Sequence, residues 1–392
     1  MKSLLVTVLL IAGNIAVLHL ANSQTFDPYI QQVVNDLEYD SLLNKLQTFE
    51  NLGIKQAGTS SLDETAAWLI KQHQQYGYTD IQIDTFQYGG NEVYNLIITK
   101  TGAIYPETYI IIDGHYDTYN GPGVNDNGTG TAIVLELARM LADIETAYSV
   151  RFIHFTVEEL GLIGSTHYVE NTVIPEDMDI RLVLNIDEVG GIAGMANSTI
   201  TCERDEWPPA SNNAASAAFT DTLANLTEMY STLNTNISYA YGSDYVPFMN
   251  NGYVVTGYYE YNESPYPHSI NDSLSNMDPE YVFEVLKASL AAGIYFSGAY
   301  EPATGVTPNH TDESMVSVYP NPFSDQFFVQ NNSDDKIRLE VSDLRGKHLH
   351  EQTIPEHSDV QVRFSGNAGL YIYRIIDEGN NLRQSGRLIR LQ

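Results

Sequence analysis

Four short runs dominated by isoleucine, valine and other apolar residues, at 109–112, 150–155, 182–186 and 253–258, constrain this chain more than any other feature. Short, largely apolar runs of this length read as strands buried on both faces. Helix-like segments at 128–141, 165–170, 212–230 and 279–299 alternate with them. Repeated strand then helix predicts an α/β fold with a largely parallel sheet covered on both sides. In such sheets reactive groups collect in the loops beyond the carboxyl ends of the strands.

Those ends carry acid–base and metal-capable residues. His115 and Asp117 follow the first run, Asp126 lies in the next loop, Glu158 and Glu159 follow the second, and Asp187 follows the third. His268 comes after the last, in Tyr266-Pro267-His268-Ser269-Ile270-Asn271-Asp272. A single strand-end carboxylate is ordinarily a helix cap or a solvated group. Here every candidate falls on one predicted rim, where burial is costly unless a cation compensates it. Counting Asp126, Glu159 and Asp187 as about −3, with two neutral imidazoles, favours two divalent ions at about +4 plus a hydroxide. Mixed imidazole and carboxylate donors suit zinc, and also accommodate manganese or cobalt. Ions roughly 3.5–4 Å apart would acidify a shared water and polarise a carbonyl, so the expected reaction is hydrolysis. Adjacent Glu158 and Glu159 point in different directions from an extended segment, so one can bind metal while the other takes a proton. Asp117 is placed to accept the second N–H of His115 and set its tautomer. Glycines in 121–131 allow the tight turns that present Asp126, and the segment lacks the Gly-Lys-Ser/Thr ending of a phosphate loop. The segment 241–245, with Asp244 and Tyr245, is expected to line the substrate pocket.

Charge narrows the partners. Of 392 residues, 19 are Lys or Arg and 50 are Asp or Glu, a formal net charge of −31. That balance excludes a basic nucleic-acid or membrane-binding surface and suits cationic substrates or plain solubility. Residues 1–314 hold 10 basic and 40 acidic side chains, whereas 315–392 hold 9 and 10. A polar stretch with Pro and Gly at 302–314 reads as a linker between a domain at 24–301 and a second at 315–392. Short alternating runs in the latter, at 326–330, 336–341, 360–364 and 370–376, imply a small all-β sandwich. Residues 1–23 read as a signal peptide: Lys2, an apolar run from Leu4 to Leu20, then Ala21-Asn22-Ser23. Gly13, Asn14 and His19 interrupt that run, so no permanent membrane span is expected. Cys202 stands alone, which rules out an intramolecular disulfide, and no nucleophile arrangement surrounds it.

Five strings, Gly114-His115-Tyr116-Asp117, Gly123-Val124-Asn125-Asp126-Asn127-Gly128, Glu158-Glu159-Leu160-Gly161-Leu162-Ile163-Gly164-Ser165, Asn185-Ile186-Asp187 and Tyr266-Pro267-His268-Ser269, span about residues 95–275. In this order they resemble the co-catalytic zinc aminopeptidase family, which includes bacterial leucyl aminopeptidases, glutamate carboxypeptidase relatives and glutaminyl cyclases. The resemblance implies a phosphorylase/hydrolase-like three-layer α/β/α sandwich around a mixed, largely parallel sheet. It implies two zinc ions with Asp126 bridging, His115 and Asp187 completing one site, and Glu159 and His268 the other. Glu158 becomes the general base, working with a metal-bridging hydroxide on peptides with a free amino terminus. Tyr245 stands where many relatives carry His, and the paired pocket cysteines of some secreted relatives are absent. Glutaminyl-peptide cyclisation, carboxypeptidase action and a metal-free binding protein on the same fold are the alternatives.

Val318-Tyr319-Pro320-Asn321-Pro322-Phe323, Val341-Ser342-Asp343-Leu344-Arg345-Gly346 and Gly369-Leu370-Tyr371-Ile372-Tyr373-Arg374 lie in 315–392. They resemble the C-terminal sorting domain of the type IX secretion system of Bacteroidetes. This implies the secretion machinery as a partner and export through the periplasm of a Gram-negative bacterium to the medium or cell surface.

Overall fold

The structure, a computed structural model, describes residues 26–299 except 241, and 316–390 except 320–322, 324, 344–346, 368, 378, 380 and 381. The expected leader at 1–23 and linker at 302–314 lie outside the described residues. The chain divides into two compact units, Met1–Tyr300 and Glu301–Gln392.

The first unit opens with helices α1 (Pro28–Asn35), α2 (Tyr39–Asn51) and α3 (Ser60–Gln75), then strands β1 (Ile81–Tyr88), β2 (Asn91–Lys100) and β3 (Tyr105–His115). It continues through α4 (Thr129–Leu141), β4 (Tyr148–Phe155), α5 (Ile163–Tyr168), β5 (Asp179–Ile186), β6 (Thr199–Arg204), α6 (Asn213–Tyr230), β7 (Asn234–Tyr239), α7 (Val246–Asn250), β8 (Val255–Glu260) and α8 (Pro279–Phe296). Helix starts carry local signals. Asp27 accepts the N–H of Tyr29 at 2.9 Å ahead of α1, and Asp278 accepts that of Tyr281 at 3.3 Å ahead of α8, each with proline next in sequence.

The eight strands form one sheet in the order β1-β2-β4-β3-β5-β8-β6-β7. The pairs β4/β3, β3/β5, β5/β8 and β6/β7 are parallel, while β1/β2, β2/β4 and β8/β6 are antiparallel. Side chains alternate between two buried layers: Ile110 and Ile112 of β3 join one apolar cluster and Ile111 the other, as do Leu182 and Leu184 of β5 against Val183. The sheet is therefore the middle of three layers. The four apolar runs lie in or overlap β3, β4, β5 and β8. Because β3, β4, β5 and β8 run the same way, His115, Glu158, Glu159, Asp187 and the chain leading to His268 all leave from one edge. Among the described residues no helix is long and apolar enough to cross a membrane.

The second unit holds β9 (Val316–Tyr319), β10 (Gln326–Asn331), β11 (Ile337–Ser342), β12 (His348–Ile354), β13 (Ser358–Arg363), β14 (Gly369–Asp377) and β15 (Leu382–Arg390). They form two antiparallel sheets, β13-β10-β9 and β12-β11-β14-β15. Phe327, Val329 and Val362 of one sheet share a buried cluster with Leu339, Val341, Tyr373 and Ile375 of the other, making a small sandwich.

Candidate metal centre

At the carboxyl edge of the first unit's sheet, two imidazoles flank one carboxylate. His115 ends β3, and its Nε2 lies 3.3 Å from Oδ1 of Asp126 and 3.4 Å from Oδ1 of Asp187. His268 approaches from the other side, its Nε2 3.3 Å from Oδ2 of Asp126 and 2.7 Å from Oε2 of Glu159. Two donor groups result: His115, Asp126 and Asp187 converge within 4.8 Å of one another, as do Asp126, Glu159 and His268. Asp126 belongs to both.

The strap that carries Asp126 is tightly held. Gly123 turns at φ +61°, and a Cβ there would sit 2.4 Å from the carbonyl oxygen of Asp126, so the turn needs glycine. Asp272 accepts the backbone N–H groups of Asn125 at 2.7 Å and Asp126 at 3.0 Å. Asn125 accepts from Gly190 N–H at 2.6 Å and donates to Glu260 at 3.2 Å, while Asn127 donates to the carbonyl of Ile186 at 2.9 Å. Ser243 donates to Oδ2 of Asp187 at 2.7 Å, leaving Oδ1 turned toward His115.

The donor set fits a cation. His115 Nε2, Glu159 Oε1 and Asp187 Oδ1 are buried without a hydrogen bond. Orphaned buried lone pairs on mixed nitrogen and oxygen donors are what a bound ion satisfies. Electrostatics point the same way. Burial works against the charge on Asp126, but the imidazoles of His115 and His268 beside it outweigh it and hold its carboxyl down at about 2. The hydrogen bond to Asp126, with the charge of Glu159, lifts His268 to about 9. Burial, then the charge of Asp126, pushes Glu159 up to about 8. In the metal-free form His268 and Glu159 hold protons that a bound cation would displace.

Glu158 faces a cleft of about 320 Å³ that His268, Asp126 and Asp187 also line. Its side chain is 15% exposed against 4% for Glu159, so the two neighbours diverge, one toward the cleft and one toward His268. Burial, with Asp244, Asp187 and Asp117 nearby, raises the Glu158 carboxyl well above the usual range.

Three expected placements are corrected. His115 Nδ1 donates to the backbone carbonyl of Asp117 at 3.1 Å, while the nearer carboxylate oxygen stands 3.7 Å away. The Asp117 carboxylate instead accepts the N–H groups of Glu158 at 3.1 Å and Glu159 at 3.4 Å, bracing the turn that carries both. Tyr245 does not line the cleft. It precedes the buried helix α7, so its ring enters the second apolar cluster and its hydroxyl donates to Glu203 at 2.8 Å. Asp244 is fully buried beneath the site, and burial lifts its carboxyl to about 7; from this segment Gly242 reaches the cleft wall.

Sequence reasoning passed over two residues. Asp272 was signalled only by its place four residues after His268. Glu188, directly after Asp187, turns into the cleft at φ +44°; burial, with the charges of Asp126 and Asp187, pushes its carboxyl up to about 10.

Comparison with known proteins adds kinship. Residues 95–292 match the family described as Peptidase family M28, and residues 317–389 match the one described as Secretion system C-terminal sorting domain. An aminopeptidase of Pseudomonas aeruginosa is 41% identical over 100 residues, which cover 25% of this chain and 18% of that protein. The chain spans about a fifth of the length of such curated relatives. Among solved structures, LapB of Legionella pneumophila superposes with a TM-score of 0.61 at 22% identity, covering 70% of this chain and 76% of that one. The glutaminyl cyclase of Macrostomum lignano gives 0.62 at 16% identity, covering 71% and 95%. The fold is thus common to proteins of both names.

Proposed function

This chain belongs to peptidase family M28, and from that membership we propose that it is a metal-dependent aminopeptidase, removing the first residue from peptides with a free amino terminus. The observation that carries the reading is Asp126 set between His115 and His268, with Asp187 and Glu159 completing two donor groups. Asp126 would be shared by two zinc ions, with manganese or cobalt as substitutes, His115 and Asp187 holding one and Glu159 and His268 the other. Bound there, such ions supply a water that ionises near neutrality and polarise a peptide carbonyl. Glu158, the carboxylate turned to the cleft, takes the proton of the attacking water and returns it to the departing amine. The Asp117 carboxylate holds the backbone that aims it.

The sign of the cleft supports the amino end. Asp126, Glu158, Glu159, Asp187 and Glu188 line it, and no Lys or Arg among the described residues does. A substrate ammonium can pair with the carboxylates that hold no ion, whereas the terminal carboxylate that a carboxypeptidase must hold finds no Lys or Arg among the described lining residues to pair with. Two complete donor groups favour hydrolysis over a cyclisation needing one ion.

Purified protein with aminoacyl anilides and dipeptides tests this. Hydrolysis should require metal, shorten peptides from the amino end and be lost in Glu158→Gln. Pyroglutamate formed from glutaminyl peptides without shortening would overturn it. For 315–392 we propose a role in export by the type IX machinery, following a signal peptide at 1–23 and a linker at 302–314; deleting 315–392 should retain the enzyme inside the cell.

A further inference from the structure

One carboxylate in the cleft has no task in the reaction described. Glu188 belongs to neither donor group, and no hydrogen bond or ion pair engages its side chain among the described residues. Its backbone sits in the left-handed region, at φ +44°, which is uncommon for a residue with a side chain. That twist directly after Asp187 turns both side chains into the same cleft, where an extended strand would send them to opposite faces. The rest of the wall near it is sparse. Among the described residues Leu162 is the sole apolar side chain lining the cleft, and Gly161 and Gly242 present bare backbone. Such a wall offers one described aliphatic side chain to a substrate stem. It suits an aliphatic stem laid against Leu162 with a positive head at Glu188.

We propose that Glu188 determines specificity for peptides whose first residue carries a cationic side chain, lysine or arginine. The proposal rests on the aminopeptidase reading. The α-ammonium, one bond from the Cα next to the attacked carbonyl, stays among the carboxylates of the two donor groups. Glu188 lies outside those groups and lines the same cleft, where a longer arm can meet it. A carboxylate with no internal partner among the described residues favours a cation that brings charge and hydrogen-bond donors together, and disfavours an isosteric apolar chain that covers it and leaves it unpaired.

The test compares lysyl, arginyl, norleucyl and leucyl anilides on metal-loaded protein, since norleucine matches the lysine stem without its charge. The wild type should favour lysyl over norleucyl substrate in kcat/KM by on the order of 10- to 100-fold, and Glu188→Gln should bring that ratio close to one. Glu188→Asp should retain part of the preference. Metal content and thermal midpoint of each variant separate recognition from folding. A wild type that does not distinguish lysyl from norleucyl anilide overturns the proposal, as does a Glu188→Gln variant slowed equally on all four substrates, which would assign Glu188 to the α-ammonium. If no substrate is cleaved, the aminopeptidase reading fails by itself. Calorimetry with lysinamide and norleucinamide then decides on Glu188: tighter lysinamide binding that Glu188→Gln abolishes supports it, and equal binding sinks it.

Discussion

The carboxylate of Asp272 accepts the backbone N–H of Asp126 at 3.0 Å, across 146 residues of sequence. Since His268 lies four residues before Asp272, one loop supplies an imidazole to the second donor group and also fixes the backbone of the acid shared by both. Asp272→Ala removes that tie and leaves two buried N–H groups unpaired. We expect zinc affinity to fall about 10- to 100-fold, with turnover per bound ion largely restored at saturating zinc, as for other supports of metal ligands. Chelator competition and metal-dependent rates on the same preparation check this; unchanged affinity would remove Asp272 from the assembly of the centre.

Glu158→Gln keeps the shape of the side chain and removes its capacity to take a proton. Turnover of an aminoacyl anilide should drop on the order of 10²- to 10⁴-fold. Bound metal should stay at the wild-type level, because Glu158 lies outside both donor groups. Glu159→Gln should lose metal as well as activity, its carboxylate lying 2.7 Å from His268 Nε2. Rates measured beside metal analysis separate the two neighbours, and a Glu158→Gln protein stripped of metal would reverse their roles.

Metal binding should tighten as pH rises. In the metal-free protein the hydrogen bond to Asp126 raises His268 to about 9, and burial raises Glu159 to about 8, so both hold protons near neutrality that a cation must displace. With each such proton, affinity should gain about tenfold per pH unit below the group's own value. Titration against a chromophoric chelator at several pH values reads the slope, and buffers of different ionisation enthalpy read the released protons. A flat profile would mean these groups do not bind the ion.

The fold's centre was legible because its strands are buried on both faces: runs such as 182–186 leave no polar period to confuse with a surface helix, and Asp187 follows that run directly. Edge elements were not. In β1 only Phe86 is buried, and the pairing of β6 antiparallel to β8 has no local signature. The five converging donors could be placed on one rim from strand direction alone. Asp244 and Tyr245 could not, because whether a loop side chain faces cleft or core depends on the packing of α7 beneath it. The grip of Asp272 on Asp126 escaped for a related reason: a contact between loops so far apart in sequence follows from the closed fold, and no periodicity encodes it.

Cys202 should be chemically silent. It is fully buried in β6, and burial pushes its thiol far above the usual range, so the thiolate needed for alkylation is scarce. Iodoacetamide should leave the native protein unmodified and active and should label it stoichiometrically in denaturant, as read by intact mass. Labelling of the native state with loss of activity would contradict this.

Acid should destabilise the first unit through a buried histidine pair. His73 of α3 and His154 of β4 face each other with Nε2 atoms 2.9 Å apart, fully enclosed, and both Nδ1 atoms lack a hydrogen bond. Burial holds His154 at about 3 and, with the charge of its neighbour, His73 well below the ordinary value. The unfolded chain takes up a proton on each near pH 6.5, while the folded one stays neutral, so the unfolded state binds more protons below that point and stability falls as pH drops. Each histidine removes about 1.4 kcal/mol per pH unit over that window. The double variant His73→Leu, His154→Leu should show a shallower decline of the unfolding midpoint between pH 6.5 and pH 4 than the wild type. Parallel declines would show that the acid sensitivity arises elsewhere.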